Sequence, residues 1–121
     1  MAKTVLLIED EPYITEALLF LLTREGWQVI THNDGLGAID KISQITPDLI
    51  ILDVMLPNVG GMEILHHIRQ QKPIAHIPVL ILTAKGQKKD RQAAENAGAS
   101  LFMTKPFSNQ EILTNIRKLT C

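Results

Sequence analysis

Four short apolar runs in this chain each deliver a residue suited to phosphoryl chemistry. Ile8 leads into Glu9 and Asp10, Leu52 into Asp53 and Leu82 into Thr83, and the run at 101–104 is followed by Lys105. If these runs lie parallel in one sheet, their carboxyl ends converge on the edge where open α/β sheets bind ligands. Three acids, a hydroxyl and an amine then share one pocket. Such a set can hold a divalent metal, offer a nucleophile and neutralise the charge of a transferred phosphoryl group.

Each residue also has a plainer reading. Glu9, Asp10 and Glu11 stand directly before Pro12 and a helical pattern, so the acids can serve simply as an N-terminal cluster facing the helix dipole. Asp53, which also ends an apolar run, turns that cluster toward a magnesium site, because Mg2+ takes hard oxygen ligands from one or two carboxylates, waters and phosphates. Asp53 alone could be a loop or capping acid. However, Val54, Met55, Leu56 and Pro57 follow it, which places the carboxylate at an apolar rim where a metal is its natural partner. A carboxylate there can act as a nucleophile and form an acyl phosphate. Thr83 and Lys105 read singly as a strand end and a surface lysine; together they offer a hydroxyl and an ammonium to phosphoryl oxygens. A cis bond at Lys105-Pro106 would turn the chain sharply and aim the amine inward.

Other candidates fall away. His32, His66, His67 and His76 are scattered, so they read as surface residues and indicate neither a metal site nor a general base. The 7 glycines form no Walker A loop and no dinucleotide fingerprint, and Gly35, Gly37, Gly60 and Gly61 read as turn residues.

The elements that must position these side chains follow from hydrophobic periodicity. Residues 5–8, 49–52 and 79–82 are continuous apolar runs, the pattern of central parallel strands covered on both faces. Residues 28–31 and 101–104 are shorter or more mixed and suit edge strands. Between them, Ile14, Ala17, Leu18, Leu21 and Leu22 repeat along one helix face, with Gly26 as the stop. Ile39 and Ile42 define a second helix, and Ile64, Leu65 and Ile68 a third that ends before Pro73. A fourth, residues 88–97, has little to bury beyond Ala93, Ala94 and Ala97 and is expected to be the most weakly packed. Ser108 and Glu111 predict a capping box for a last helix whose inner face carries Ile112, Leu113, Ile116 and Leu119. Five βα units with short connections predict a right-handed, doubly wound α/β sheet.

Composition bounds the function. A chain of 121 residues and net charge −1 is expected to form one domain, and it lacks the basic stripe of direct nucleic-acid binding. Its apolar stretches are too short to span a bilayer. With Cys121 as the lone cysteine and no secretory leader, the sequence fits a cytoplasmic protein.

Residues 4–119 resemble the receiver domain of bacterial two-component response regulators. The matching pieces are Ile8-Glu9-Asp10-Glu11, Leu52-Asp53-Val54-Met55-Leu56-Pro57, Gly61-Met62-Glu63, Leu82-Thr83-Ala84 and Lys105-Pro106-Phe107. The resemblance implies a flavodoxin-like sheet of strand order 2-1-3-4-5 and a single receiver domain over residues 1–121. It further implies that Asp53 accepts a phosphoryl group from a phosphohistidine on a sensor histidine kinase or phosphotransfer protein. Mg2+, with Mn2+ as a substitute, would be held by Asp10, Asp53 and the Met55 carbonyl, with Glu9 acting through water. Lys105 would pair with the phosphoryl oxygens, Thr83 would swing toward them, and Phe102 would move from outward to inward. The output would be an altered surface on the fourth helix, fifth strand and fifth helix, read by a downstream effector, with loss of the phosphoryl group by autodephosphorylation and no enzymatic turnover.

Departures from the family pattern are informative. Gly60 stands where an acid is usual, which weakens the start of the third helix and spares the chemistry. Ser100, Leu101 and Asn115 replace the charges of the common dimer through the fourth and fifth helices, which points to a monomer or weak dimer. Leu19 and Phe20 lie off the inner stripe of the first helix and are expected either to dock the phosphodonor or to pack under a loop. Two rival functions are a small phosphohydrolase, which would want an acid at the position of Met55, and a receiver that works without phosphorylation.

Overall fold

Parallel strands and helices alternate along the chain in the computed structural model, which describes residues 3–84, 86 and 88–120 and so leaves Cys121 outside. The elements are β1 (Thr4–Ile8), α1 (Pro12–Arg24), β2 (Gln28–His32), α2 (Ala38–Ile45), β3 (Leu49–Asp53), α3 (Gly61–Gln70), β4 (Val79–Thr83), α4 (Lys88–Asn96), β5 (Leu101–Thr104) and α5 (Asn109–Thr120). The five strands form one parallel sheet in the order β2-β1-β3-β4-β5, as the resemblance implied.

The strand sequences explain that order. Every residue of β3 and β4 is buried, so both faces need helices, which only a central position supplies. β2 carries two exposed positions and takes an edge. Alternation of side chains then splits the core into two layers. Leu6, Ile8, Ile50, Leu52, Val79 and Ile81 face α2 and α3 through Ile42, Ile64, Leu65 and Ile68. On the other face, Val5, Leu7, Leu49, Ile51, Leu80 and Leu82 meet α1 and α5 through Leu18, Leu22, Ile112 and Ile116.

Helix boundaries also follow local chemistry. Gly26 adopts φ +93° directly after the α1 cap, and Ser108 Oγ accepts the Glu111 N–H at 3.0 Å to open α5. Gly60 precedes α3 with no side-chain cap, in line with the missing acid. Two expected core positions are exposed. Ala17 sits a full 100° around α1 from Leu18, beyond the reach of the sheet, and Ala93 is exposed at the mouth of a cavity beside α4, so Ala94 is the one buried residue of α4. His66, His67 and His76 are exposed as expected, while His32 is half-buried and its Nε2 lies 2.8 Å from Leu36 O.

Candidate functional site

Parallel pairing brings four strand ends to one edge. Ile8 pairs with Leu52 and with His32, and Glu9 extends that ladder by donating its N–H to His32 O at 3.0 Å. Asp53 is the last residue of β3 and pairs with Leu82, one position before Thr83. Lys105 follows β5 directly, its backbone N–H bonded to Thr83 O at 2.8 Å, and the Lys105–Pro106 bond is cis.

This edge gathers the acids. Glu9, Asp10 and Asp53 each place a carboxylate oxygen within 4.8 Å of the others. Glu9 and Asp53 are each only 2 % exposed, whereas Asp10 faces solvent, so the cluster combines a desolvated floor with an open mouth. Lys105 spans it. Its Nζ lies 2.8 Å from Glu9 Oε1, 2.8 Å from Glu11 Oε1 and 3.4 Å from Asp53 Oδ2. Glu9 Oε1 is buried and, the ion pair with Lys105 aside, has no aligned hydrogen-bond donor among the described residues. An all-oxygen donor set with spare lone pairs suits a hard divalent cation.

Burial pushes the Glu9 carboxyl up to about 7, against the opposing pull of Lys105 and of the Glu11 N–H that donates to Glu9 Oε2 at 3.0 Å. For Lys105, burial favours the neutral amine, but the carboxylates of Glu11 and Glu9 and the charge of Asp53 outweigh it and hold the ammonium above its usual range. The amine is therefore a fixed positive charge at any physiological pH.

The remaining predicted residues take separate places. Met55 donates its N–H to Asp53 Oδ1 at 3.2 Å and leaves its side chain exposed. Thr83 is buried and borders a cavity of about 70 Å3 together with Val54, Met62, Asp90, Ala93 and Phe102. Phe102 is inward, only 6 % exposed, with the Arg91 guanidinium carbon 5.0 Å from its ring centroid. Leu19 and Phe20 are exposed on the outer face of α1. They line a shallow hollow with Glu16, Thr23 and Arg24 and do not join the acidic cluster.

Several contributors were hidden in the sequence. Glu11 was legible only as one of three acids, yet it shares Lys105 across 94 positions of sequence. Gly61 is no turn residue: it opens α3 against the Asp53 carbonyl, and a Cβ there would collide with that oxygen and with Val54 Cα. Arg69, half-buried, donates to the carbonyls of Gly98, Ala75 and Ile77 at 2.9, 2.9 and 2.7 Å, tying α3 to the loops around β4 and β5.

Comparison with known proteins gives this edge a context. A family model described as "Response regulator receiver domain" matches residues 5–117. Two curated relatives are a probable transcriptional regulatory protein, TcrX of Mycobacterium tuberculosis, 42% identical over 96% of this chain, and the phosphate regulon regulator PhoB of Escherichia coli, 37% identical over 97%. The chain spans about half the length of these relatives, 49% of the first and 51% of the second. Among solved structures, a putative response regulator from Chloroflexus aurantiacus superposes with a TM-score of 0.94 at 30% identity, covering 99% of this chain and 98% of that one. Receivers of this kind normally use Mg2+. The chain accordingly belongs to the response regulator receiver domain family, whose members work as phosphorylation switches in two-component signalling.

Proposed function

We propose that Asp53 is the phosphoacceptor of a cytoplasmic signalling switch. The observation that carries this reading is the convergence of the Glu9, Asp10 and Asp53 oxygens within 4.8 Å, with the Lys105 ammonium against Asp53. An Asp53 carboxylate oxygen attacks phosphorus; the P–N bond of the donor phosphohistidine breaks as the P–O bond forms, and the electron pair leaves with the imidazole. Asp10, Asp53 and the Met55 carbonyl, with Glu9 through water, would hold a Mg2+ or Mn2+ ion that neutralises charge on the phosphoryl oxygens.

The chain's own groups complete the reaction. Lys105 exchanges its contact with Asp53 for one to a phosphoryl oxygen, and Thr83 supplies a hydroxyl donor. Thr83 drawn toward the phosphoryl group would hold the Phe102 ring in the inward position that it already occupies here, and so bias the surface of α4, β5 and α5 that a downstream effector reads. A strong switch requires about 5.5 kcal/mol of difference between the two states. A doubly charged group held by cation, ammonium and hydroxyl supplies energy on that scale. Turnover is confined to slow autodephosphorylation, since Met55 offers no acid two positions after Asp53.

The donor is a sensor histidine kinase or a histidine phosphotransfer protein, docked on the exposed Leu19 and Phe20 beside the acidic edge. Acetyl phosphate should label the protein only with Mg2+ present, and Asp53→Asn should abolish labelling; metal-independent labelling would refute the assignment. Polar replacements at Leu19 and Phe20 should slow transfer from the kinase and leave acetyl phosphate labelling intact. Equal loss in both assays would remove the docking role.

A further inference from the structure

We propose that Asn58 and Asp34, neither of them in the acidic cluster, form a brace between two loops that sets the cluster's affinity for its divalent cation. The inference rests on reading Glu9, Asp10 and Asp53 as the cation site.

Residues 54–60 must leave β3 at Asp53 and return into α3 at Gly61. The base of this loop is closed by its own backbone: Val54 N–H donates to Leu82 O at 3.3 Å, and Gly61 N–H to Val54 O at 2.9 Å. Its far end is held from outside. Asn58 Nδ2 donates to both carboxylate oxygens of Asp34, at 2.9 and 2.8 Å, and Gly35 N–H donates to Pro57 O at 3.1 Å. Gly35 is buried there, and a Cβ on it would run into the Val59 carbonyl.

Asp34 is itself fixed, because Oδ1 accepts the Leu36 N–H at 2.7 Å. The Asn58 and Leu36 donors hold its carboxyl below the usual carboxylate range, so it remains an anionic acceptor. Asn58 takes φ +70°, a left-handed conformation that asparagine tolerates better than most side chains. Residue type, backbone conformation and partner all agree on one position for the loop tip.

Between the two ties lies Met55, whose N–H donates to Asp53 Oδ1. A loop tip released from Asp34 lets Met55 shift, and with it both the orientation of the Asp53 carboxylate and the position of the Met55 carbonyl. Groups that orient metal ligands from outside typically change metal affinity by roughly 10–100-fold when removed. This brace acts one connection further out, so its loss should weaken binding by about three- to tenfold.

Asn58→Gly removes the amide and keeps the backbone conformation accessible. Mg2+ titration of the unphosphorylated protein by calorimetry should show the three- to tenfold loss. The exchange Asp34→Asn with Asn58→Asp keeps net charge, lets Asn at 34 still accept the Leu36 N–H, and reverses donor and acceptor; it should recover wild-type affinity. Unchanged affinity in Asn58→Gly, or an exchanged pair as weak as the single variant, overturns the brace. Asp10→Asn tests the underlying site separately: if that variant binds Mg2+ like wild type, or wild type binds none, the cation site and the brace fall together. Metal-free melting of every variant identifies any loss that comes from unfolding.

Discussion

The acidic edge and the α4 flank of this domain are built to different standards. At the edge, β1, β3 and β4 run through the core with nearly every side chain buried, and Lys105 ties the start of α1, the end of β3 and the β5–α5 connection into one charged cluster. On the flank, α4 buries only Ala94. Burying an isoleucine or leucine contributes about 1.5–3 kcal/mol, and a single methyl far less, so the flank gains a fraction of what holds the edge. Chemistry that needs fixed geometry thus sits on the firm part of the fold, and the helix whose surface is proposed to carry the output costs little to displace. Arg69 limits that freedom at one end. Its guanidinium bonds to Gly98 O and lies 3.4 Å from Ser100 Oγ, which fixes the turn between α4 and β5 while the rest of the helix stays thinly held.

The contrast can be broken by measurement. The largest effect belongs to the core: Ile50→Ala should destabilise the protein by about 2–5 kcal/mol in denaturant unfolding, because β3 has helices on both faces and cannot collapse around the cavity. A comparable loss from Ala94→Gly would erase the distinction, since that change should cost about 1 kcal/mol. Arg69→Met falls between them. It leaves three carbonyls without their donor, and a loss of about 1–3 kcal/mol is expected, with faster hydrogen exchange concentrated at residues 97–100.

A pH series sharpens the account of the edge itself. Glu9 sits near 7 in the folded state against an ordinary value of 4.5, so the folded protein binds more protons than the unfolded chain between those values. Stability of the chelator-treated protein should therefore fall as pH rises from 4.5 to about 7, and Glu9→Gln should flatten that part of the curve. A flat curve over that interval, with stability lost instead as pH falls below 4.5, would mean that Lys105 outweighs burial. The smallest effect is expected at the flank surface: Arg91→Ala, which removes the cation from above Phe102, should cost about 0.5–1 kcal/mol in thermal unfolding.

Much of this was legible in the sequence because it depends on periodicity and on what ends each strand. Continuous apolar runs identify β3 and β4 as interior, and Asp53, Thr83 and Lys105 follow such runs directly, so their convergence comes from parallel pairing. Long-range partners left no comparable trace. Nothing near Arg69 signals that it will meet carbonyls from two later loops, and Asp34 and Asn58 each look like ordinary turn residues until the fold sets them side by side. Ala93 illustrates a different limit: in a helix of small and charged residues, composition does not say which alanine faces inward.

The central claim is that Asp53 becomes an acyl phosphate. Borohydride reduces such a linkage to an alcohol, so treatment after incubation with acetyl phosphate and Mg2+ should convert residue 53, and no other acid, to homoserine in peptide mass spectra. Homoserine at Asp10 or 5-hydroxynorvaline at Glu9 with residue 53 intact, or no conversion in protein that carries the label, would contradict the account.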